Sequence, residues 1–104
     1  MEQRRTRRFK LHLPLSITRS GAERMTLAGY TRNISSSGVL FTTEGEPEFN
    51  GPIEYVITLN HEGSQAVNLR CIGKVIRAER LDAGEPVHAY QVAATLERYE
   101  FIRE

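Results

Sequence analysis

The sequence has a single cysteine, no long apolar run and no signal sequence. Cys71 has no internal partner for a disulfide, and its apolar neighbours predict a buried small side chain and not a reactive nucleophile. No apolar run approaches the roughly 20 residues that cross a bilayer, and the Arg-rich start lacks the apolar stretch typical of a signal peptide. These absences predict a cytoplasmic protein that does not insert into a membrane.

Catalytic and metal-binding patterns are also absent from the sequence. His12, His61 and His88 have no ligand spacing and no Cys or carboxylate cluster beside them, so no metal site is predicted. No arrangement of Ser, His and Asp is typical of a hydrolase, and the chain has no glycine-rich phosphate loop. The sequence therefore predicts a protein that is not an enzyme, has no catalytic residues and needs no cofactor.

What the sequence does have is an uneven distribution of charge. Its 104 residues suffice for one domain with a single core, and the formal net charge is +1. Residues 1–10 hold five of the 14 Lys and Arg but one of the 13 Asp and Glu, so the remainder is mildly acidic. We therefore expect a single domain over residues 1–104, in which residues 1–9 form a flexible basic arm.

Alternation of apolar and polar residues, which is typical of half-buried strands, dominates the rest of the chain. Such segments recur at residues 10–18, 25–32, 39–43, 53–59, 67–77 and 87–96, with turn residues between them. Six strands with no intervening helix predict an all-β fold, an antiparallel barrel or sandwich over residues 10–96. Leu96, Tyr99 and Ile102 lie at helical spacing, so residues 97–104 are predicted to form a short C-terminal helix.

Strand pairing predicts where two polar stretches of the sequence meet. If residues 10–18 and 25–33 form a hairpin about a turn near residues 21 and 22, Arg8 lies opposite Ser35, within about two positions. The stretches RRTRRF and NISSSG would then emerge side by side at one end of the sheet, although they are far apart in sequence.

These two stretches carry side chains that suit a guanine nucleotide. Arginine forms bidentate hydrogen bonds with phosphate oxygens or with guanine O6 and N7, and its plane stacks on a base. Asn33 and Ser35 offer amide and hydroxyl groups to a base edge or a phosphate, and Gly38 has no Cβ to block a flat ligand. Two simpler interpretations stay open: a solvated, disordered arm, and a polar turn whose Asn and Ser bond to nearby backbone while its Gly takes a positive φ.

A family resemblance is carried by the two stretches together. Arg4 and Arg8 form Arg-x-x-x-Arg, and Asn33, Ser35 and Gly38 follow as Asn-x-Ser-x-x-Gly. In this order and on this strand pattern they resemble the paired signatures of the PilZ domain, Arg-x-x-x-Arg and Asp/Asn-x-Ser-x-x-Gly. The stretches CIGKVIR and YQVAATLERYEFI are similar to the family's later core strand and to its last strand with a terminal helix.

The resemblance implies a six-stranded antiparallel β-barrel that binds the bacterial second messenger cyclic di-GMP. It implies that Arg4 and Arg8 contact guanine bases and phosphates, while Asn33 and Ser35 contact guanine edges or phosphates and Gly38 keeps the surface open. Arg5 and Arg7 are further candidates for phosphate contacts or for a second stacked nucleotide. Asn33 stands where Asp is commoner, and an amide lacks the two equivalent acceptor oxygens of a carboxylate.

The resulting hypothesis is a cyclic di-GMP receptor whose arm orders on the ligand and changes a surface offered to a separate downstream protein. One alternative is a PilZ-like interaction module that does not bind cyclic di-GMP. A second is a small nucleic-acid-binding protein that uses its arm on phosphates, which the acidic remainder of the chain disfavours.

Overall fold

The fold is entirely β in the parts of the chain that the computed structural model describes, which are residues 8–47, 51–60, 67–81 and 90–103. Alternation of apolar and polar residues places one face of each barrel strand in a common core. The seven strands are β1 (Pro14–Ser20), β2 (Glu23–Ile34), β3 (Gly38–Thr43), β4 (Pro52–Asn60), β5 (Val67–Arg80), β6 (Tyr90–Thr95) and β7 (Arg98–Arg103).

Six of the strands close into an antiparallel barrel in the order β4-β1-β2-β3-β6-β5, with β5 pairing back onto β4. This closure confirms the predicted all-β, six-stranded antiparallel β-barrel. Closure gives each of the six barrel strands a neighbour on either side, so none of them is the edge strand of an open sheet. The core consists of Leu15, Ile17, Val39, Phe41, Ile53, Tyr55, Ile57, Cys71, Val75, Val92 and Ala94.

The first hairpin has the predicted register. Gly21 makes the turn with a φ of 62°, a conformation that glycine adopts without steric cost, and Ile17 faces Leu27 across the pair. The same pairing continues past the strands, because Phe9 and Ile34 exchange backbone hydrogen bonds of 2.8 and 2.9 Å. Phe9, assigned to the arm from the sequence, is therefore joined to the barrel, whereas residues 1–7 lie outside the described residues.

The predicted C-terminal helix is wrong, because that segment forms strand β7. Residues 98–103 pair antiparallel with the first half of β5, from Arg98 facing Ile72 to Arg103 facing Val67. Apolar residues at 99, 101 and 102 fit helical and alternating spacing equally over so short a stretch. β6 pairs only with the second half of β5, so the first half offers unpaired backbone groups to β7 on the side opposite β4. Pairing with these groups decides between the two conformations.

Cys71 is buried in the core, as its apolar context predicted. Burial raises the pKa of its thiol to about 12, so the group stays protonated at neutral pH. Cys71 therefore acts as a small apolar side chain of the barrel core.

Candidate functional site

A groove with a volume of about 350 Å³ lies on the outer face of the barrel, where β2, β3, β6 and β5 run side by side. Its volume is within the range of small-ligand sites. The residues that line it are Arg8, Asn33, Ser35, Ser37, Gly38, Val39, Leu40, Ile76, Arg77, Ala93, Ala94 and Thr95.

The groove brings together four of the seven residues predicted from the sequence. Arg8 reaches it because Phe9 pairs with Ile34, which places the preceding residue beside the end of β2. Asn33, Ser35 and Gly38 line the same groove. The other three candidates, Arg4, Arg5 and Arg7, lie outside the described residues.

A β-bulge turns Asn33 towards the groove. Thr31 faces Phe41 inside the barrel, and strict alternation would direct Asn33 inward as well. The register between β2 and β3 shifts between Thr31 and Asn33, so Asn33 faces Leu40 on the outer side. Bulges redirect side chains in this way, and here the bulge places a side-chain amide on the outer surface.

Ser35 organises the loop between β2 and β3. Its Oγ accepts hydrogen bonds from the backbone N–H groups of Gly38 at 3.1 Å and Ser37 at 3.3 Å. Its own backbone N–H donates to the carbonyl oxygen of Gly38 at 2.9 Å, which closes the loop. These bonds fix the rim of the groove before any ligand arrives, and they are the backbone bonds expected of a polar turn.

Gly38 is needed for close packing between strands. A Cβ at this position would come within 3.0 Å of the carbonyl oxygen of Ala94 on β6, and β3 could then approach β6 less closely. The positive φ considered from the sequence is not observed here, since among the described glycines only Gly21 has one. Gly38 thus keeps the floor of the groove narrow and flat where β3 and β6 meet.

The far wall of the groove was not predicted from the sequence. It consists of Ile76 and Arg77 on β5, which are both exposed although they are neighbours in the chain. A second bulge causes this, because the register between β5 and β6 shifts between Val75 and Arg77. The sequence did contain a signal: alternation from Cys71 and Val75 places a charged Arg77 on the core face, which a buried strand does not tolerate without a partner.

The resulting groove has an apolar floor between two cationic sides. Leu40 and Ala93 lie on the outer faces of the two central strands, and Ile76 is 56% exposed beside them. Arg8 lies beside β2 on one side and Arg77 on β5 on the other. In the described ranges neither guanidinium is ion-paired, unlike Arg70, which contacts Glu54 and Glu100 at 3.0 Å each. This arrangement suits a flat, anionic ligand.

Two kinds of feature are absent from the described ranges, a cluster of metal ligands and a membrane-spanning helix. No group of three or more His, Cys, Asp and Glu residues there is placed to hold a metal ion. Nor does any helix occur there with the length and apolar character that crossing a bilayer requires.

Comparison with known families assigns the chain. The PilZ domain family matches residues 2–99, nearly the whole sequence, and the chain therefore belongs to the PilZ domain family. The fold is similar to that of the Bacillus subtilis inhibitor of motility (MotI/DgrA), with a TM-score of 0.69 and 15% sequence identity. The similarity covers 96% of this chain and 44% of that one, so this chain spans less than half of the neighbour's length. No curated protein matches the sequence significantly.

Proposed function

We propose that this PilZ domain is a receptor for cyclic di-GMP, which binds in the groove between Arg8 and Arg77. The observation that carries the proposal is the convergence of Arg8, Asn33, Ser35 and Gly38 on one groove. These residues belong to the two stretches that resemble the signatures of the family, and the family matches residues 2–99. The proposal describes a ligand-binding module without catalytic activity that works in the bacterial cytoplasm.

In this proposal each group of the groove has a role. Arg8 and Arg77 supply bidentate donors for phosphate oxygens or for guanine O6 and N7. The amide of Asn33 pairs with a guanine edge, and the apolar surface of Leu40 and Ile76 packs against a base. Ser35 acts chiefly by holding the loop that presents the backbone N–H groups of the rim.

The proposal extends to the arm and to signalling. Arg4, Arg5 and Arg7 add three cationic side chains next to Arg8 in the sequence, and bound phosphates would neutralise their mutual repulsion. The arm orders over the ligand, at a cost of roughly 1–2 kcal/mol per backbone residue fixed, and creates a surface that exists only with ligand bound. A separate downstream protein recognises that surface.

Calorimetric titration of the full chain with cyclic di-GMP tests the binding step. We expect Arg8→Ala to weaken binding about tenfold or more, because a bidentate base contact contributes about 1–3 kcal/mol. Arg24→Ala is the matched control, since Arg24 lies near the turn of the first hairpin and not in the groove. Cyclic di-AMP and short oligonucleotides should bind far more weakly in moderate salt, whereas equal binding of all three would favour a nucleic-acid binder.

A second candidate function is a PilZ-type interaction module that binds no nucleotide. The observation in its favour is that two signature residues have structural roles. Ser35 closes its loop by hydrogen bonds, and Gly38 allows β3 and β6 to pack closely. No heat of binding with cyclic di-GMP, together with a folded protein by circular dichroism, would select this alternative.

Backbone amide relaxation by NMR tests the arm mechanism separately from binding. Residues 4–7 should move on the nanosecond timescale without ligand and become ordered with saturating cyclic di-GMP. An arm that is rigid in the free protein, or one that stays mobile at saturation, would contradict the mechanism even if binding occurs.

A further inference from the structure

Strand β7 lies outside the closed barrel and has a free edge. It pairs with β5 on one side, and on its other side no strand among the described residues pairs with it. Its register with β5 is unbroken, and its sequence, RYEFIR, contains no proline or glycine. A regular edge of this kind presents backbone N–H and C=O groups that a further strand can bond.

Two aromatic rings project from one face of β7. Tyr99 and Phe101 are 61% and 63% exposed, and their rings meet edge to face with centroids 6.2 Å apart. They face Cys71 and Leu69 of β5, so they lie on the side of the sheet that forms the core elsewhere. The extra strand thus extends the core-facing apolar side beyond the barrel and leaves two neighbouring aromatic rings exposed to solvent.

We propose that β7 pairs antiparallel with β7 of a second copy of this chain, about a two-fold axis normal to the sheet. Such an axis keeps each side chain on its own face of the sheet. Even-numbered residues therefore face even-numbered residues of the second copy, and odd-numbered residues face odd-numbered ones. With Glu100 facing its own copy, Tyr99 faces Phe101 of the second copy, and Phe101 faces Tyr99. Four rings then form one cluster across the junction, a favourable cross-strand arrangement.

The charges on the opposite face of β7 are self-complementary in the same register. Arg98 lies diagonally opposite Glu100 of the second copy, and the symmetry creates this contact twice. Repulsion between the two facing Glu100 carboxylates is reduced because each is bound at 3.0 Å by Arg70 of its own chain. Charge therefore favours a second copy of this strand over an unrelated apolar segment.

The size of the contact predicts a weak, concentration-dependent dimer. Six strand residues and two rings a side bury less surface than the about 1,200–2,000 Å² of a stable interface. Sedimentation velocity on the full chain over a range of concentrations should show a reversible monomer–dimer equilibrium. A chain that stays monomeric at high concentration would overturn the proposal.

A charge exchange tests the contacts. Arg98→Glu and Glu100→Arg should each weaken self-association about tenfold, because like charges then oppose one another twice. An equimolar mixture of the two variants should dimerise at least as well as the parent, since every cross-strand pair is then attractive. Two variants that dimerise normally on their own, or that fail to associate when mixed, would contradict the pairing.

Disulfide cross-linking tests the register. In the proposed pairing the Cα atoms of residue 100 in the two copies lie about 4.5–5.5 Å apart, within the roughly 4.4–6.8 Å that a disulfide spans. Glu100→Cys should therefore form a covalent dimer under mild oxidation. Arg98→Cys is the control. In this register the two introduced cysteines lie about four residues apart along the strands, so they should not form a disulfide. Buried Cys71 does not interfere. Equal cross-linking of both variants, or of neither, would overturn the register.

Discussion

The two halves of β5 use the same residue type in opposite ways. In the first half, residues 67–72 pair with β4 on one side and β7 on the other, and Arg70 forms ion pairs with Glu54 and Glu100. In the second half, residues 75–80 pair with β6 through a bulge, and Arg77 lines the groove without an ion pair in the described residues.

Arg70 and Arg77 of β5 differ because their neighbouring strands differ. Where β5 is flanked by strands on both sides, the outer face supplies carboxylates at cross-strand positions, and they neutralise Arg70. Where the register shifts, two consecutive side chains project outward over the small residues of β6. The half with the irregular register is therefore the half with the candidate site.

The boundary between the two halves should be among the positions most sensitive to substitution in the described part of the molecule. A Cβ at Gly73 would lie 1.8 Å from the backbone oxygen of Thr95, so Gly73→Ala forces apart β5 and the end of β6. We expect a loss of about 3 kcal/mol or more in the free energy of unfolding, measured by urea denaturation.

Gly45→Ala is the matched control for this substitution. Its added Cβ would meet only the side chain of Leu27, at 3.1 Å, and that flexible side chain can move away. A Gly73→Ala protein as stable as the Gly45→Ala protein would show that β5 and β6 separate without cost, contrary to the observed packing.

The next largest effect is on ligand affinity, which should depend on Arg77 and not on Arg70. Arg77→Ala is expected to weaken cyclic di-GMP binding about tenfold with little change in melting temperature, because its side chain is exposed and serves only the groove. Arg70→Ala should leave the affinity unchanged in the same calorimetric titration. Equal losses in the two variants would point to a general effect of positive charge and not to a specific contact.

A smaller effect is expected from Thr95, which lines the groove and makes hydrogen bonds next to the start of β7. The Oγ1 of Thr95 accepts a hydrogen bond from the backbone N–H of Lys74 at 2.8 Å and donates one to Glu97 at 2.9 Å. Thr95→Val removes both, so we expect a loss of about 1 kcal/mol and faster amide hydrogen exchange in β7. Thr26→Val, an exposed change on β2, should have almost no effect. Identical exchange rates in the two variants would rule out a role for Thr95 in holding β7.

The smallest expected effect is the loss of stability that acidification causes in the first half of β5. The hydrogen bond from Arg70 holds the pKa of Glu54 below its ordinary value of 4.5, against the opposing effect of burial. A depressed pKa stabilises the fold at neutral pH, and this contribution is lost as the pH falls below 4.5 and through the folded-state pKa. The difference in urea midpoint between the parent and Glu54→Gln should therefore shrink on acidification. A difference that is constant from neutral pH to pH 3 would contradict this origin.

Much of the fold was predictable because alternation has a simple physical cause, and the first hairpin was predictable because its turn contains glycine. The convergence of Arg8 with Ser35 followed from that hairpin alone. The strand at residues 98–103 was not predictable, because its conformation depends on pairing with the first half of β5, which β6 does not reach, and not on its own six residues. Arg77 was missed for a related reason: a bulge reverses the direction of the side chains that follow it, and its position depends on the partner strand.

Closure of the barrel by β6 has a kinetic consequence. Of the six barrel strands, β6 comes last in the chain, yet it lies between β3 and β5, and Thr95 faces the distant Gly38. We expect a pairing between residues so far apart in sequence to form late, because a long loop must close before its hydrogen bonds are gained. The floor of the groove spans β3 and β6, so no intermediate that precedes this step contains the groove. We therefore expect a ligand of the groove to slow unfolding and to leave the rate of folding unchanged.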